Sequence, residues 1–272
     1  MRRRVPLALV LAGAALTVPP ARAGEWRILE PGLELAELAM PAPSDLGDSR
    51  LSVLRIDPAR FDLVLLNASA PGQGQPLTAR AWCEQAGLVA TINASMYQTD
   101  LKTSVGLMRT AKHVNNAHAG KDRAVLAFDR ADDGVPPADI IDLTCQDFAA
   151  LRKRCRTLVQ SIRMVSCAGE NRWQQQLRKW STSAIGIDKH GRVLFMHCRS
   201  PYTTHDLIDG MLALPLDLAK AMYVEGGPEA QLYLRSGDFE LERVGSFETG
   251  FMETNANTAA WPVPNVVGIV RR

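Results

Sequence analysis

Residues 185–195 read IGIDKHGRVLF, and this stretch gives the clearest indication of the fold class. Two apolar runs flank a Lys-His-Gly tip, a pattern that is a strong signal for a β-hairpin. Alternating apolar and polar residues at 51–56 (LSVLRI) and 61–66 (FDLVLL), joined through Asp57-Pro58, predict two further strands around a turn. Sheet is therefore expected both near the start of the chain and in its middle.

More strands than helices are predicted along the rest of the chain. The other predicted strands lie near residues 88–92, 104–108, 124–128, 157–165, 184–187, 193–197, 221–225, 230–234 and 266–270. One predicted helix is capped by Thr78, runs through residues 83–86 and is ended by Gly87, and the others lie at 146–154, 173–179 and 204–213. Because strands and helices do not alternate strictly, the sequence predicts an α+β fold: mixed or largely antiparallel sheets, flanked by a few helices, in a single domain.

The N-terminal segment has the pattern of a secretory signal peptide. Residues 1–23 read MRRRVPLALVLAGAALTVPPARA, with a basic start, an apolar run and a small-x-small cleavage site. The apolar run is shorter than the ~20 residues that a membrane-spanning helix needs, and no later run is long enough. We therefore expect residues 24–272 to form the mature domain, periplasmic or secreted, with no membrane span.

Charge and cysteine content narrow the functional classes. The formal net charge of +2 gives no basic patch of the kind that nucleic acid requires, so no nucleic-acid partner is expected. Five cysteines in an exported chain favour disulfides, and the expected pairs are Cys145 with Cys155 and Cys167 with Cys198, leaving Cys83 free. None has CxxC spacing, and the signatures of serine hydrolases, zincins and nucleotide-binding proteins are missing from the sequence. No metal and no cofactor are therefore expected.

Two groups of polar residues are candidates for substrate binding. Asn93, Ser95 and Tyr97 follow a strand that reads as buried; they form either a polar connection or a set of donors and acceptors for sugar hydroxyls or phosphate oxygens. Arg163 stands among apolar residues in a predicted strand. It is either half of a structural ion pair or a bidentate contact for an anionic phosphate.

Residues 223–233 read YVEGGPEAQLY and place two carboxylates around a Gly-Gly-Pro turn. Gly226 and Gly227 allow the backbone to come close to a ligand. Glu225 and Glu229 are either solvated charges, or an acid and a base for cleaving a glycoside, or ligands of a divalent cation. Local sequence leaves all three alternatives open.

Three segments, taken in order, resemble the phosphodiester glycosidase family. They are NASMY at 93–97 with Gly106-Leu107, SAIGID at 183–188 with Gly191-Arg192, and AMYVEGGPEA at 221–230. The family includes the lysosomal-pathway enzyme that removes N-acetylglucosamine from a phosphodiester to expose a mannose phosphate. The resemblance extends over roughly residues 51–270.

The resemblance implies an exported hydrolase acting on a glycosyl phosphodiester or a related envelope glycoconjugate, so the expected partner is a carbohydrate or glycosyl phosphate. It implies that Glu225 acts as general acid/base, with Glu229 as its partner. The implied substrate-binding residues are Asn93, Tyr97, Arg163, Ser183, Gly226 and Gly227.

The sequence departs from the family pattern at three places. NASMY stands where the family usually has Asn-Gly-Gly-Phe-Phe, and Thr182 occupies the place of an arginine. Glu225 replaces an aspartate, and Glu229 lies near the position of a serine. These departures leave a second hypothesis open, in which the chain is a non-catalytic periplasmic protein that uses the same scaffold to bind glycan or protein.

Overall fold

The structure is a computed structural model, and it describes residues 25–272, so the predicted signal peptide lies outside the described residues. The strands are β1 (Arg27–Glu30), β2 (Leu33–Ala39), β3 (Arg50–Ile56), β4 (Phe61–Asn67), β5 (Ala90–Asn93), β6 (Met108–Arg109), β7 (Val114–Asn116), β8 (Ala124–Arg130), β9 (Ala138–Asp142), β10 (Cys155–Ser161), β11 (Arg163–Val165), β12 (Trp180–Asp188), β13 (Val193–Tyr202), β14 (Leu218–Gly226), β15 (Gln231–Ser236), β16 (Phe239–Val244) and β17 (Asn265–Arg271). The helices are α1 (Ala79–Ala86), α2 (Phe148–Leu151) and α3 (Thr204–Ala213), with a 3₁₀-helix at Gly227–Glu229. Among the described residues, no helix is long and apolar enough to cross a membrane.

The strands form three sheets. A seven-stranded sheet has the order β1-β2-β3-β13-β12-β14-β11, and two five-stranded sheets have the orders β7-β6-β10-β8-β9 and β16-β15-β5-β17-β4. All pairings between these described strands are antiparallel. The predicted α+β class is confirmed.

The hairpin predicted from residues 185–195 joins β12 to β13, with Ile187 opposite Val193. Asp188 shapes its tip: one carboxylate oxygen accepts the backbone N–H of His190 at 2.8 Å and that of Arg192 at 2.9 Å. Gly191 adopts a φ of +78°, which few side-chain-bearing residues tolerate. The tip residues therefore fix the register of the central strand pair.

The main hydrophobic core lies where the three sheets meet. Phe195 of the seven-stranded sheet, Phe128 of β8 and Ile92 of β5 are all buried in it. A second core on the seven-stranded sheet includes Met196 and packs against Met211 of α3. One continuous core shared by all three sheets explains why the described chain folds as a single domain.

Several predicted elements differ from the observed ones. The segment 173–179 is not a helix: it is irregular, and Leu177 is 95% exposed. Of its seven residues, Trp173 is the one that packs against a hydrophobic core, and a single such contact does not stabilise so short a helix. The strand predicted at 157–165 divides at Ile162 between two sheets, and of 104–108 only Met108 lies in a named strand.

The predicted disulfide pairs are wrong, because the structure joins Cys145 to Cys167. Cys145 follows β9 and Cys167 follows β11, and the ends of these two strands are held together by an ion pair between Asp142 and Arg163. Cys155 and Cys198 are buried in two different hydrophobic cores, whereas Cys145 and Cys167 are exposed. The two buried thiols therefore remain unpaired.

Candidate active site

A cleft of about 430 Å³ lies where the chain passes from one sheet to another. The backbone leaves the seven-stranded sheet at Gly226, forms the 3₁₀-helix, and enters the third sheet at Gln231. Three carboxylates line this cleft, those of Glu225, Glu229 and Glu248. A volume of this size lies within the range of small-molecule binding sites.

Glu225 lies next to the last residue of β14, which is clamped between β12 and β11. Its Oε1 accepts the backbone N–H of Gly226 at 3.0 Å. Burial raises the pKa of Glu225 to about 8; the Gly226 N–H opposes this shift, and the nearby carboxylates of Glu229 and Glu248 add to it. Glu225 therefore holds its proton near neutral pH, as a general acid must.

Glu229 is positioned by a buried amide. The Asn93 Nδ2 donates to the backbone oxygen of Glu229 at 2.9 Å, and its Oδ1 accepts the backbone N–H of Gln231 at 2.7 Å. Burial raises the pKa of Glu229 and Glu248 adds to the shift, while the neighbouring Tyr97 hydroxyl lowers it. The pKa of Tyr97 is itself raised, first by burial and then by Glu229 and Glu225.

Both predicted glycines line the cleft. A Cβ on Gly226 would overlap the Tyr223 hydroxyl and approach Trp180 Cδ1 to 2.8 Å. Gly227 has a φ of +63°, and a Cβ there would overlap the Glu248 carboxylate. The space freed by the two glycines is thus filled by side chains of the cleft wall, which brings Glu248 close to the turn.

One side of the cleft is aromatic. Trp173 and Tyr223 lie with their ring centroids 5.5 Å apart at 50°, and Trp180 completes the wall. The indole N–H of Trp180 is buried and has no hydrogen-bond partner within residues 25–272. Aromatic faces offer apolar area together with polar edges, which suits a sugar ring with its own apolar and hydroxyl-bearing sides.

Of the residues predicted to form the site, Glu225, Glu229, Tyr97, Gly226 and Gly227 come together in the cleft. The other three predicted residues do not line it. They are Asn93, Ser183 and Arg163.

Both polar groups of the Asn93 side chain form hydrogen bonds with backbone atoms, as described above. Ser183 is buried opposite Glu225 on β12, and its hydroxyl donates to the Gln231 carbonyl at 3.4 Å. Arg163 forms the structural alternative that its sequence context allowed, with its Nη1 2.6 Å from Asp142.

Two charged cleft residues were not predicted from the sequence, Glu248 and Arg178. Glu248 belongs to a loop after β16, where SFETGF carries no local sign of a site. Arg178 belongs to the segment that was predicted to be a helix, which would have placed it differently. Only the tertiary fold brings these two residues to the turn at 226–229.

The cation hypothesis requires Glu225, Glu229 and a third ligand such as Glu248 to bring their ligand atoms close enough together to share one ion. Within the described part of the chain, the group of His, Cys, Asp or Glu side chains close enough to share an ion is Asp142, Cys145 and Cys167. Those two cysteines are joined to each other, and Asp142 already pairs with Arg163. The cleft carboxylates form no such group.

Fold and cleft together define an antiparallel α+β domain whose cleft combines carboxylates with aromatic side chains. The sequence profile of the phosphodiester glycosidase family matches residues 86–270, which is more than half of the chain. The chain therefore belongs to the phosphodiester glycosidase family.

Two solved structures share the fold. The catalytic domain of zebrafish N-acetylglucosamine-1-phosphodiester alpha-N-acetylglucosaminidase, auto-inhibited by its pro-peptide, superposes with a TM-score of 0.64 at 12% identity, over 92% of this chain and 87% of that one. A hypothetical protein from Synechocystis gives a TM-score of 0.61 at 12% identity, over 94% of this chain and 64% of that one. A search of curated protein sequences gives no match.

Proposed function

We propose that the chain is an exported hydrolase that cleaves a glycosyl phosphodiester, or a related envelope glycoconjugate, in the periplasm or outside the cell. The observation that carries this proposal is the Glu225 carboxyl, whose pKa of about 8 keeps it protonated beside two further carboxylates in the cleft. Membership of the family and the zebrafish relative, named for an N-acetylglucosamine 1-phosphodiester, support the substrate class. The disulfide between Cys145 and Cys167 supports an oxidising compartment.

In this proposal Glu225 is the general acid. It donates its proton to the bridging oxygen while the bond from that oxygen to the anomeric carbon of the sugar breaks. An ionised carboxylate, Glu229 or Glu248, accepts a proton from the water whose oxygen joins the anomeric carbon. The products are the free sugar and the phosphomonoester.

The remaining cleft residues hold the substrate. The ring of the sugar lies against the wall formed by Trp173, Trp180 and Tyr223, and the Tyr97 hydroxyl is available for a sugar hydroxyl. Asn93 and Ser183 act behind the cleft: both contact the backbone around the 3₁₀-helix and so position Glu229.

Turnover of defined substrates tests the proposal. The purified mature protein is incubated with N-acetylglucosamine 1-phospho-methylmannoside and with matched glucosyl and mannosyl phosphodiesters, and free sugar is measured. Glu225→Gln is expected to lower kcat by about 10²–10⁴-fold, the usual contribution of a general acid. Glu170→Gln, a change at an exposed carboxylate outside the cleft, serves as the control.

Two results would contradict parts of the proposal. Unchanged turnover in folded Glu225→Gln would remove Glu225 from the mechanism. Binding of glycans by the wild-type protein, without release of sugar or phosphate from any of the substrates, would instead favour the non-catalytic binding protein.

A further inference from the structure

Among residues 25–272, Arg178 forms no ion pair, and it lies at a cleft whose other charged residues are all acids. Its basic neighbours are both paired, Arg172 with Glu170 and Lys179 with Asp45. No carboxylate among residues 25–272 lies within ion-pair distance of Arg178, whose one hydrogen bond is a long one of 3.4 Å from Nη2 to the Thr249 carbonyl. The guanidinium is therefore free to bind a ligand.

The carboxylates of the cleft disfavour an anionic substrate unless a nearby cation offsets their charge. An ionised Glu229 or Glu248 repels a phosphoryl group, and at separations of about 4 Å each such repulsion amounts to ~1–4 kcal/mol in a partly solvated site. Arg163 cannot offset this repulsion because it is bound to Asp142. Among the cleft-lining residues, Arg178 is the one that carries a positive charge.

The position of Arg178 also suits this role. It stands two residues before Trp180, whose ring borders Gly226, so a group bound by Arg178 lies close to both the aromatic wall and the turn. A guanidinium binds phosphate oxygens through two parallel N–H donors, which a lysine cannot reproduce.

We propose that Arg178 binds the phosphoryl group of the substrate and so sets the preference of the cleft for an anionic leaving group. This inference rests on the proposed function for its substrate class. The sugar lies against the aromatic wall, the scissile bond faces Glu225, and the phosphoryl group lies towards the mouth of the cleft at Arg178.

Binding measurements test the inference without relying on turnover. Inorganic phosphate and N-acetylglucosamine 1-phosphate are titrated calorimetrically at pH 6.5 into the wild-type protein, Arg178→Gln, Arg178→Lys and Arg172→Gln. We expect Arg178→Gln to weaken both ligands at least tenfold, which corresponds to about 1.4 kcal/mol. Arg178→Lys is expected to recover only part of the affinity, and Arg172→Gln, in the same segment but paired outside the cleft, to match the wild type. Phosphate affinity that is equal in the wild type and Arg178→Gln, or absent from the wild type at 50 mM, overturns the inference.

A kinetic comparison separates this inference from the proposed function. Arg178→Gln is expected to raise KM for a glycosyl phosphodiester at least tenfold while changing KM for the uncharged p-nitrophenyl glycoside less than twofold. An equal rise for both substrates overturns the inference, because Arg178 would then act on the sugar or on the fold. If no substrate is hydrolysed but phosphate binding still depends on Arg178, the catalytic proposal fails and the anion site stands.

Discussion

Glu225 combines two features that sequence reasoning can assign only in part. The sequence predicts that Glu225 lies at the end of a strand before two glycines. Its protonation, in contrast, depends on burial and on carboxylates contributed by other segments. Glu248, which adds to the raised pKa, comes from a loop with no sequence signal. The chemistry of this residue is therefore a property of the assembled cleft.

The pKa of Glu225 predicts the alkaline side of the pH–rate profile. A general acid works only while it is protonated, so kcat/KM should fall as pH rises through about 8. The residual activity of Glu225→Gln should lack this fall, because the amide does not titrate. Initial rates of both proteins between pH 5 and 10 measure this fall in kcat/KM. If Glu225→Gln shows the same fall, another group is responsible for it.

The raised pKa of Glu225 also predicts that the free energy of unfolding depends on pH. The ordinary pKa of a glutamate, near 4.5, applies to the unfolded chain, and the folded value is about 8. Between these values the folded protein holds a proton that the unfolded chain releases, so this stabilisation is complete below about 4.5 and is lost as pH rises towards 8.

Glu225→Gln removes this dependence. Relative to the wild type, it should therefore be more stable at pH 8 than at pH 5, by a difference on the order of 3 kcal/mol. Urea denaturation of both proteins at the two pH values measures the difference, with Glu170→Gln as the control. A stability difference that is the same at both pH values would show that Glu225 titrates normally in the folded protein.

Among the secondary-structure elements, helices predicted from the local sequence were confirmed where one face of the helix also packs against the sheet. Residues 204–213 form α3 with the predicted bounds, because Thr203 caps it by accepting the Asp206 N–H at 3.1 Å and one face packs on the sheet. Residues 173–179 lack such a face and stay irregular. The edge strands β1 and β7 were not predicted because they are short and lack an apolar alternation, and β16 was not predicted although Phe239 and Leu241 alternate with two glutamates.

The disulfide links two elements from different sheets and should add to stability. It joins the ends of β9 and β11 across a sequence separation of 22 residues, and closing a loop of that size stabilises the folded state by about 3 kcal/mol through the unfolded chain. The double variant Cys145→Ser/Cys167→Ser should lose about that much in urea denaturation and become insensitive to reductant.

The wild-type protein supplies the matching control, since a reductant should lower its stability towards that of the double variant. Peptide mapping under non-reducing conditions should yield a fragment in which Cys145 is joined to Cys167. A fragment joining Cys145 to Cys155 would contradict the observed pairing.

On the scale of the whole molecule, the cleft exists because the chain changes sheets at residues 226–231. Family motifs in the sequence indicated the order of the segments that surround this point. They could not indicate which side chains face the cleft, because that depends on the register between β12 and β14 and on loops from distant segments. Arg163 shows the difference: the sequence allowed an anion contact, and the fold turns it towards Asp142 in the second sheet.

Asn93 connects the third sheet to the turn that carries Glu229, so its removal should affect stability and catalysis together. Asn93→Ala leaves the buried N–H of Gln231 without its partner, at a cost of about 1–3 kcal/mol, and removes the shorter of the two hydrogen bonds to the Glu229 carbonyl, whose other donor is the Gln231 Nε2 at 3.3 Å. Since Asn93 does not line the cleft, kcat should fall at least tenfold while KM changes little, because Glu229 is displaced without losing a substrate contact.

Ser183→Ala is the matched control. Ser183 is equally buried and contacts the same segment, but through one 3.4 Å hydrogen bond, so its effect on stability and on kcat should be smaller. Urea denaturation and steady-state kinetics of the two variants measure the comparison, and equal effects would mean that the amide of Asn93 does not position Glu229.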